Sequence, residues 1–298
     1  MPELPDVTVY VECLERRVSG ARLDAVRLAS PFLLRSVDPS LDDCRGRTVA
    51  GVERIGKRIA IGLDGEMFLV VHLMIAGRLR WATAGAKLPG RLGLAAFDFS
   101  SGTLLLTEAG TKKRVSLHVV RGRDGLRAHD AGGIDPLDCT VAELAAVLGR
   151  EAHTIKCALI DPRVLSGIGN AYSDEILHRA RMSPFQRADR LGDAAVARLR
   201  EAIRAVLVEW TDRLRRETGG GFPEKVTAFR DGMAVHGRFR KPCPACGSTV
   251  QRIVHAEHEW NYCPTCQTGG RLLADRALSR LLRDDWPHTL EELEHPRR

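Results

Sequence analysis

Residues 161–170 read Asp-Pro-Arg-Val-Leu-Ser-Gly-Ile-Gly-Asn, and this short stretch organises the second half of the chain. Apolar residues precede it at the spacing of one helix face, at Ile155, Ala158 and Leu159. Gly167 and Gly169 allow a tight turn that side chains would obstruct. The pattern predicts two helical stretches joined by a glycine-rich turn, which is a helix-two-turn-helix.

The spacing of apolar residues on either side of this motif predicts a helical domain over residues 137–222. Leu144, Val147 and Leu148 lie at helical spacing before the motif, and residues 194–214 are strongly helical after it. Residues 123–136 are rich in glycine, aspartate and arginine, and this composition is typical of a linker.

The preceding residues, 1–122, have a β-rich pattern after one helix. Val7, Val11, Leu14 and Val18 follow a helical period that stops at Gly20. Short β-rich runs separated by turn residues then occur at 48–55, 58–63, 67–73, 92–99 and 103–107. We therefore expect an N-terminal helix followed by a β-sandwich in a domain spanning 1–122.

Four cysteines near the C-terminus have the spacing of a metal site. Cys243 and Cys246 form one Cys-x2-Cys pair, Cys263 and Cys266 form another, and residues 247–262 separate them. Two such pairs suit one tetrahedral Zn²⁺ held by four thiolates on a β-hairpin. Because four thiolates leave no open position, the ion is expected to be structural, within a zinc finger at 223–270.

Residues 271–298 extend beyond this finger. Apolar residues in this extension lie at helical spacing and predict an amphipathic helix that packs on the finger domain. They are Leu273, Ala277, Leu278, Leu281 and Leu282.

Composition limits the class of protein. The 298 residues are 44% hydrophobic and 28% charged, with a formal net charge of +7 and a pI near 9.2. This basic excess is compatible with nucleic-acid binding but does not demonstrate it. The sequence has neither a membrane-length apolar run nor a signal-peptide pattern, so we expect a cytoplasmic protein without a membrane partner.

The chain begins Met1-Pro2-Glu3-Leu4-Pro5-Asp6. Removal of Met1 would leave Pro2 as a secondary amine, whose pKa of about 8 lies well below that of a lysine side chain, about 10.4. Such an amine can condense with an aldehyde carbon to an iminium, and Glu3 beside it can donate or accept a proton. The alternative is that Pro2 is an ordinary residue before a helix.

Four features coincide in order along the chain: the N-terminal Pro-Glu-Leu-Pro, the Gly56-Lys57 turn, the turn at 166–170 and the four-cysteine finger. Together they resemble the formamidopyrimidine-DNA glycosylase / endonuclease VIII family of base-excision repair enzymes. The most specific part is Gly-Ile-Gly-Asn-Ala-Tyr-Ser-Asp-Glu-Ile-Leu at 167–177. The resemblance implies an α+β multidomain fold: an N-terminal helix plus β-sandwich, a helix-two-turn-helix domain and a C-terminal four-cysteine zinc-finger β-hairpin.

The same resemblance implies a bifunctional DNA glycosylase and abasic-site (AP) lyase acting on oxidised bases. Pro2 would attack C1′ of a flipped nucleotide and form a Schiff base, after which β- and δ-elimination would cut the strand. Glu3 would shuttle protons, and Lys57 would act beside the lesion and contact phosphate. The other DNA-binding residues implied are Lys156, Asn170, Arg238 and His258.

Asp174 and Glu175, within the most specific stretch, are expected to brace their helix and not to perform chemistry. Arg238 belongs to a group of basic residues around the finger for which phosphate contact is plausible. A solvated charged surface is the alternative interpretation of that group.

The sequence departs from the family pattern at several positions. Ile75 occupies the place of the methionine that fills the hole left by the flipped base, although Met74 beside it is an alternative. The 221–234 loop is shorter than in members that require 8-oxoguanine. His258 replaces an arginine of the finger, so a titratable group stands where the family has a permanently charged one.

Two functional hypotheses follow from these observations. The first is an active glycosylase and lyase that acts as a monomer on damaged double-stranded DNA, with one structural zinc ion and no small-molecule cofactor. The second is a DNA-damage or abasic-site binding protein that keeps the fold with reduced or no base excision. Intact Pro2, Glu3, Lys57 and Asn170 favour the first hypothesis, since a pure binder has no need of an N-terminal proline.

Overall fold

The structure is a computed structural model that describes residues 1–224, 226–255, 258–274 and 287–294, without the side chains of 255, 258 and 294. It divides into two compact units. The first unit comprises Met1–Gly132 and Glu209–Ala228, and the second comprises Gly133–Val208 and Phe229–Arg298.

The first unit contains two antiparallel four-stranded sheets, with strand orders β1-β6-β7-β5 and β2-β3-β4-β8. The strands are β1 Leu23–Leu28, β2 Val49–Ile55, β3 Arg58–Leu63, β4 Met67–His72, β5 Gly77–Ala82, β6 Gly93–Phe99, β7 Gly102–Glu108 and β8 Ser116–Arg121. Two helices belong to the same unit, α1 Leu4–Val18 and α2 Gly122–Arg127.

The core of the first unit draws on both sheets and on α1. On β3, Ile59 and Ile61 are buried and pair with Val71 and Leu69 of β4. They belong to one hydrophobic cluster with residues of the other sheet, such as Phe97. This alternation of inward apolar residues confirms the predicted β-sandwich.

Helix α1 begins and ends as the sequence predicts. The Asp6 carboxylate accepts a hydrogen bond from the backbone N–H of Glu3 at 2.9 Å, which satisfies a donor at the helix start. The helix stops before Gly20, whose φ of 75° is in the left-handed region that favours glycine.

The predicted linker, 123–136, is not wholly irregular. Its first residues belong to α2. This helix packs on the β-sandwich of the first unit, where Leu126 lies in one hydrophobic cluster with Phe68. The glycines and charges of this segment are typical of a loop, and the packing of Leu126 overrides that weak local preference.

The second unit contains the predicted helical region and the hairpin. Its elements are α3 Val141–Leu148, α4 Ile155–Ile160, α5 Asn170–Ala180, the part of α6 Asp193–Thr218 that ends at Val208, β9 Gln251–His255, β10 His258–Tyr262, α7 Pro264–Thr268 and α8 Leu290–Glu294. Helices α4 and α5 flank the glycine-rich turn, where Gly167 has a φ of 86°. Leu165 and Ile168 are fully buried beneath it.

The C-terminal amphipathic helix predicted from Leu273, Ala277, Leu278, Leu281 and Leu282 lies outside the described residues except for Leu273. Among the residues that the structure does describe, no helix is long and apolar enough to cross a membrane.

Candidate functional site

The N-terminus of the first unit is enclosed. Pro2 is buried, Glu3 is 3% exposed and Asp6 is 4% exposed. Two carboxylates are thus withdrawn from water next to the chain's amine. Such burial strengthens every charge interaction at this point.

The electrostatic surroundings of the N-terminal amine favour its neutral form. Burial lowers the pKa of the Met1 amine below its ordinary value, and the positive charges of Arg78 and Lys57 lower it further. Glu3 and Asp6 act in the opposite direction without reversing the shift. An amine at this position is therefore more nucleophilic at neutral pH than an exposed one.

Lys57 lies in the two-residue turn between β2 and β3. The strands pair up to Ile55 and Arg58, and Gly56 takes a φ of 57°, so the turn presents Lys57 at the end of the hairpin. Its charge also acts on His72, at the end of β4. Burial lowers the pKa of His72 to about 4, with Arg58 and Lys57 contributing, so this ring is neutral at physiological pH.

Arg78 on β5 is a member of this group that the sequence analysis missed. Its guanidinium donates hydrogen bonds to the carbonyl oxygens of Ile75 at 3.1 Å and Gly77 at 2.7 Å. Arg78 therefore has two interactions: it is hydrogen-bonded to the loop after β4, and its positive charge lowers the pKa of the Met1 amine. Its position directly after that loop's glycine was the available sequence signal.

The loop between β4 and β5 presents one apolar side chain to solvent. Ile75 is 59% exposed, whereas Met74 is half-buried and has a φ of 53°. A β-carbon on Gly77 would lie 2.3 Å from the Leu73 carbonyl oxygen, so the loop requires glycine there. The tight loop thus fixes the position of Ile75.

In the second unit, Asn170 begins α5 directly after the glycine-rich turn. Its side-chain amide donates to the carbonyl oxygen of Glu259 in β10 at 2.8 Å, so Asn170 connects the helix to the hairpin. Its Oδ1 is buried and accepts no hydrogen bond from the described residues. An unsatisfied buried acceptor is costly, which makes this position a candidate ligand contact.

Lys156, which the resemblance assigns to DNA binding, is fully buried. Its ammonium donates to Asp174 Oδ1 at 2.5 Å, Ser173 Oγ at 2.7 Å and the Asn170 carbonyl oxygen at 2.8 Å. Three acceptors occupy the three donors of the group. Lys156 therefore joins α4 to α5 through all three of its donors.

Asp174 and Glu175, expected to brace their helix, also hold the segment before the finger. Asp174 Oδ2 contacts His236 Nδ1 at 2.8 Å. The Glu175 carboxylate accepts backbone N–H bonds from Ala234, Val235 and His236 at 2.7–2.9 Å. Burial raises the pKa of Glu175, although these three hydrogen bonds oppose the shift.

The four cysteines converge as the sequence predicts. The sulfur atoms of Cys243, Cys246, Cys263 and Cys266 all lie within 4.8 Å of one another. Tetrahedral zinc with Zn–S bonds of about 2.3 Å requires sulfur separations of about 3.8 Å, and the Cys243–Cys266 separation is 3.9 Å. His178 Nε2 of α5 lies 3.3 Å from Cys243 Sγ, a contact from outside the four-cysteine cluster that helps to orient this ligand. The residues present therefore fit a zinc ion.

The remaining predicted DNA-binding residues flank this finger. Arg238 is half-buried and donates to the carbonyl oxygen of Pro242 at 2.9 Å. The backbone of His258 begins β10, but its side chain lies outside the described residues. Arg252 pairs with Glu259 at 2.9 Å and lies 4.3 Å from the centre of the Phe239 ring.

Comparison with solved structures identifies the fold. A complex between a mutant of the Lactococcus lactis Fpg protein and DNA containing Fapy-dG aligns with a TM-score of 0.77 at 23% identity, covering 90% of this chain and 100% of that one. The shared architecture is a β-sandwich domain, a helix-two-turn-helix domain and a four-cysteine zinc-finger domain.

Sequence comparisons define the family. The formamidopyrimidine-DNA glycosylase N-terminal domain matches residues 1–118, the H2TH domain of the same enzymes matches 133–214, and the zinc finger found in FPG and IleRS matches 240–269. A formamidopyrimidine-DNA glycosylase from Pelotomaculum thermopropionicum is 32% identical over 277 residues, covering 90% of this chain and 99% of the relative. An uncharacterized formamidopyrimidine-DNA glycosylase-like protein from Mycobacterium tuberculosis is 46% identical over 151 residues, covering 51% of this chain and 94% of its own length. The chain belongs to the formamidopyrimidine-DNA glycosylase family.

Proposed function

We propose that this protein is a bifunctional DNA glycosylase and AP lyase that removes oxidised bases through the amine of Pro2. The observation that carries the proposal is the enclosed N-terminus, where Pro2 and Glu3 are buried and where burial, Arg78 and Lys57 all lower the pKa of the adjoining Met1 amine. A DNA-binding protein without chemistry has no use for such an amine. Family membership supports the same reaction, since the matching relatives include proteins named as formamidopyrimidine-DNA glycosylases.

The chemistry assigned to these residues begins once Met1 is removed. The neutral Pro2 nitrogen attacks C1′ of the damaged nucleotide, the bond from C1′ to the base breaks, and the departing base takes up a proton. The sugar ring opens to an iminium on Pro2, which acidifies C2′. Loss of the C2′ proton expels the 3′ phosphate, and a second elimination expels the 5′ phosphate. Glu3, buried beside the amine, is the proton carrier.

Binding of the phosphate backbone is assigned to residues in both units. Lys57 contributes from the hairpin turn of the first unit. In the second unit the contributors are Asn170 at the start of α5 and Arg238 beside the finger. His258 is assigned to phosphate binding from the sequence alone. Basic side chains and helix N-termini are the usual partners of DNA phosphates.

The metal is assigned a structural role. Cys243, Cys246, Cys263 and Cys266 would hold one Zn²⁺ and close the finger, and four thiolates leave no coordination position for substrate. Reactivity is therefore assigned to the N-terminal amine alone.

Ile75 is assigned to the gap left by the extruded nucleotide. It is the exposed apolar residue of a tight loop. Arg78, whose charge acts on the N-terminal amine, donates a hydrogen bond to the carbonyl oxygen of Ile75. Insertion of an apolar side chain into the base stack offsets part of the cost of unstacking.

Borohydride reduction on a duplex with one abasic site tests the proposal. Processed protein is expected to form a stable covalent adduct and to cut the strand. Pro2→Gly changes the secondary amine to a primary one, and a form that retains Met1 removes the proline amine altogether. Absence of adduct and cleavage with processed protein would leave the damage-binding alternative, in which the fold binds DNA without excising bases.

A further inference from the structure

Three basic side chains that the proposed reaction does not use meet on the outer face of the β2-β3-β4-β8 sheet. Arg58 on β3 and His118 on β8 lie on the face opposite to buried Ile59 and Leu117, because successive residues of a strand point to opposite faces. His129, which follows α2, contacts His118 with ring centroids 4.6 Å apart and an interplanar angle of 58°. We call these three residues the Arg58–His118–His129 cluster.

The cluster has hydrogen-bond donors in excess of acceptors. All three side chains are half-buried, and the Arg58 guanidinium donates to the carbonyl oxygen of His129 at 3.0 Å. Within the part of the chain that the structure describes, Arg58 makes no other side-chain hydrogen bond, and the rings of His118 and His129 make none. A guanidinium has five N–H donors, and donors withdrawn from water without acceptors are costly. The cluster therefore favours a ligand that accepts hydrogen bonds.

The charges around the cluster favour an anionic ligand. Burial lowers the pKa of His118 below its ordinary value, and three neighbouring positive charges lower it further. These charges belong to His129, Arg58 and Arg35. Burial and Arg58 likewise lower the pKa of His129. Burial lowers the pKa of Arg58 as well, although the charge of Asp130 opposes that shift. A bound anion would relieve this repulsion and favour the protonated rings.

The cluster lies at the end of the sheet that carries Lys57. Lys57 directly precedes Arg58 in the β2–β3 turn, and Arg58 pairs with His72, which pairs in turn with Ser116 of β8. Burial is the main cause of the low pKa of His72, and the charges of Arg58, Lys57 and His118 add to it. The cluster is thus beside the residue to which phosphate binding is assigned.

We propose, on the basis of the proposed function, that Arg58, His118 and His129 form a second phosphate-binding site for the DNA backbone. The phosphate is a neighbour of the one assigned to Lys57, because a backbone held at one phosphate brings the adjacent phosphates with it. A guanidinium can bind phosphate through two parallel N–H groups, and each imidazolium ring supplies further donors.

Occupation of this site couples DNA binding to protonation. The phosphate charge raises the pKa of His118 and His129 in the complex relative to the free protein, so binding takes up protons. Affinity is therefore higher at a pH below the raised pKa values and falls as the pH rises through them.

Duplex affinity at about pH 6 and about pH 8, on either side of the ordinary histidine pKa, tests the inference. The duplex carries a tetrahydrofuran analogue of an abasic site, which cannot form an iminium, and affinity is measured by fluorescence anisotropy. The gain in affinity on acidification should be roughly three- to tenfold larger for the unaltered protein than for the His118→Gln/His129→Gln double variant. Arg58→Gln should reduce the slope of log K against log salt by about 1.

His153→Gln and Arg22→Gln are the matched controls. His153 lies in the second unit beside Glu151, and exposed Arg22 is paired with Asp24. His153→Gln should keep the pH dependence of the unaltered protein, and Arg22→Gln should keep its salt slope. An unchanged pH dependence in the double variant, an equal change in His153→Gln, or an unchanged slope in Arg58→Gln would each overturn the inference.

Histidine titration by NMR gives a second measurement, made on the unaltered protein and so independent of the folding of variants. The pair is identified by the contact between the rings of His118 and His129. Both pKa values should rise when the duplex is added. Unchanged values with the duplex, or a rise with inorganic phosphate alone, would overturn a site for the DNA backbone.

Failure of this inference can be distinguished from failure of the proposed function. A borohydride adduct on an abasic duplex, combined with unaltered pH and salt dependence in the variants, would refute the second phosphate site alone. Absence of the adduct with the unaltered protein would refute the proposed function, while the binding comparisons would remain interpretable.

Discussion

At the scale of single residues, the N-terminal amine and Lys156 show opposite uses of burial. Burial of the amine favours its neutral, reactive form, and the cations Lys57 and Arg78 act in the same direction. Burial of Lys156 is tolerated because its charge is paired with Asp174 and hydrogen-bonded twice more. The proposed function assigns reactivity to the amine, whereas the contacts of Lys156 are structural.

Replacement of Arg78 by glutamine is expected to raise the pKa of the Pro2 amine. Loss of a nearby positive charge makes the protonated amine less unfavourable, so a smaller neutral fraction remains at neutral pH. The acid limb of the pH profile for borohydride trapping should therefore move to higher pH. Arg80→Gln, at an exposed position two residues along β5, is the control and should leave the limb in place. Coincident profiles for all three proteins would contradict the role of Arg78.

Replacement of Lys156 by methionine is expected to destabilise the protein by about 3–5 kcal/mol, because it leaves the Asp174 carboxylate buried without its partner. Urea unfolding measures this loss.

The salt dependence of DNA affinity distinguishes a structural lysine from one that contacts phosphate. Lys57→Gln should reduce the slope of log K against log salt by about 1, whereas Lys156→Met should not change it. A reduced slope for Lys156→Met would identify Lys156 as a phosphate ligand and contradict a purely structural role.

At the scale of elements, sequence patterns predicted the pieces with strong local signals. The runs at 58–63 and 103–107 correspond to β3 and β7, since alternating apolar residues face the sandwich core. The glycine-rich turn and the four-cysteine hairpin also form where their spacing indicated. These elements could be predicted because each is determined by residues close together in the sequence: alternating apolar residues, glycines in a tight turn and paired cysteines.

Other features could not be predicted from local sequence. Helix α2 forms inside the predicted linker because Leu126 packs against Phe68, a residue more than fifty positions earlier. The interaction of Arg78 with the N-terminal amine joins residues far apart in the chain. The burial of Lys156, predicted from the resemblance to bind DNA, depends on its partner Asp174, which lies eighteen positions later on another helix. In each case a long-range contact decides the role.

Replacement of Cys266 by serine is expected to abolish retention of the single zinc ion and to weaken duplex binding, since metal binding and folding of such fingers are coupled. Elemental analysis gives the metal content, and anisotropy gives the affinity. Cys157→Ser is the matched control, because Cys157 lies outside the four-cysteine cluster, and it should keep one zinc per chain. Full zinc content in Cys266→Ser would contradict the four-thiolate site.

At the scale of the whole molecule, the proposed reaction draws on residues from both units. The first unit holds Pro2, Glu3 and Lys57, and the second holds Asn170 and the finger. A net charge of +7 adds a general attraction to the DNA backbone. Family membership and these residues together support base excision more strongly than any one of them alone.

The most direct measurement is mass-spectrometric mapping of the borohydride-reduced adduct formed on an abasic duplex. We expect the sugar remnant on the N-terminal peptide of the processed protein, attached to the nitrogen of Pro2. Attachment at a lysine, or continued strand cleavage by protein whose N-terminal nitrogen is blocked, would contradict catalysis by the terminal amine.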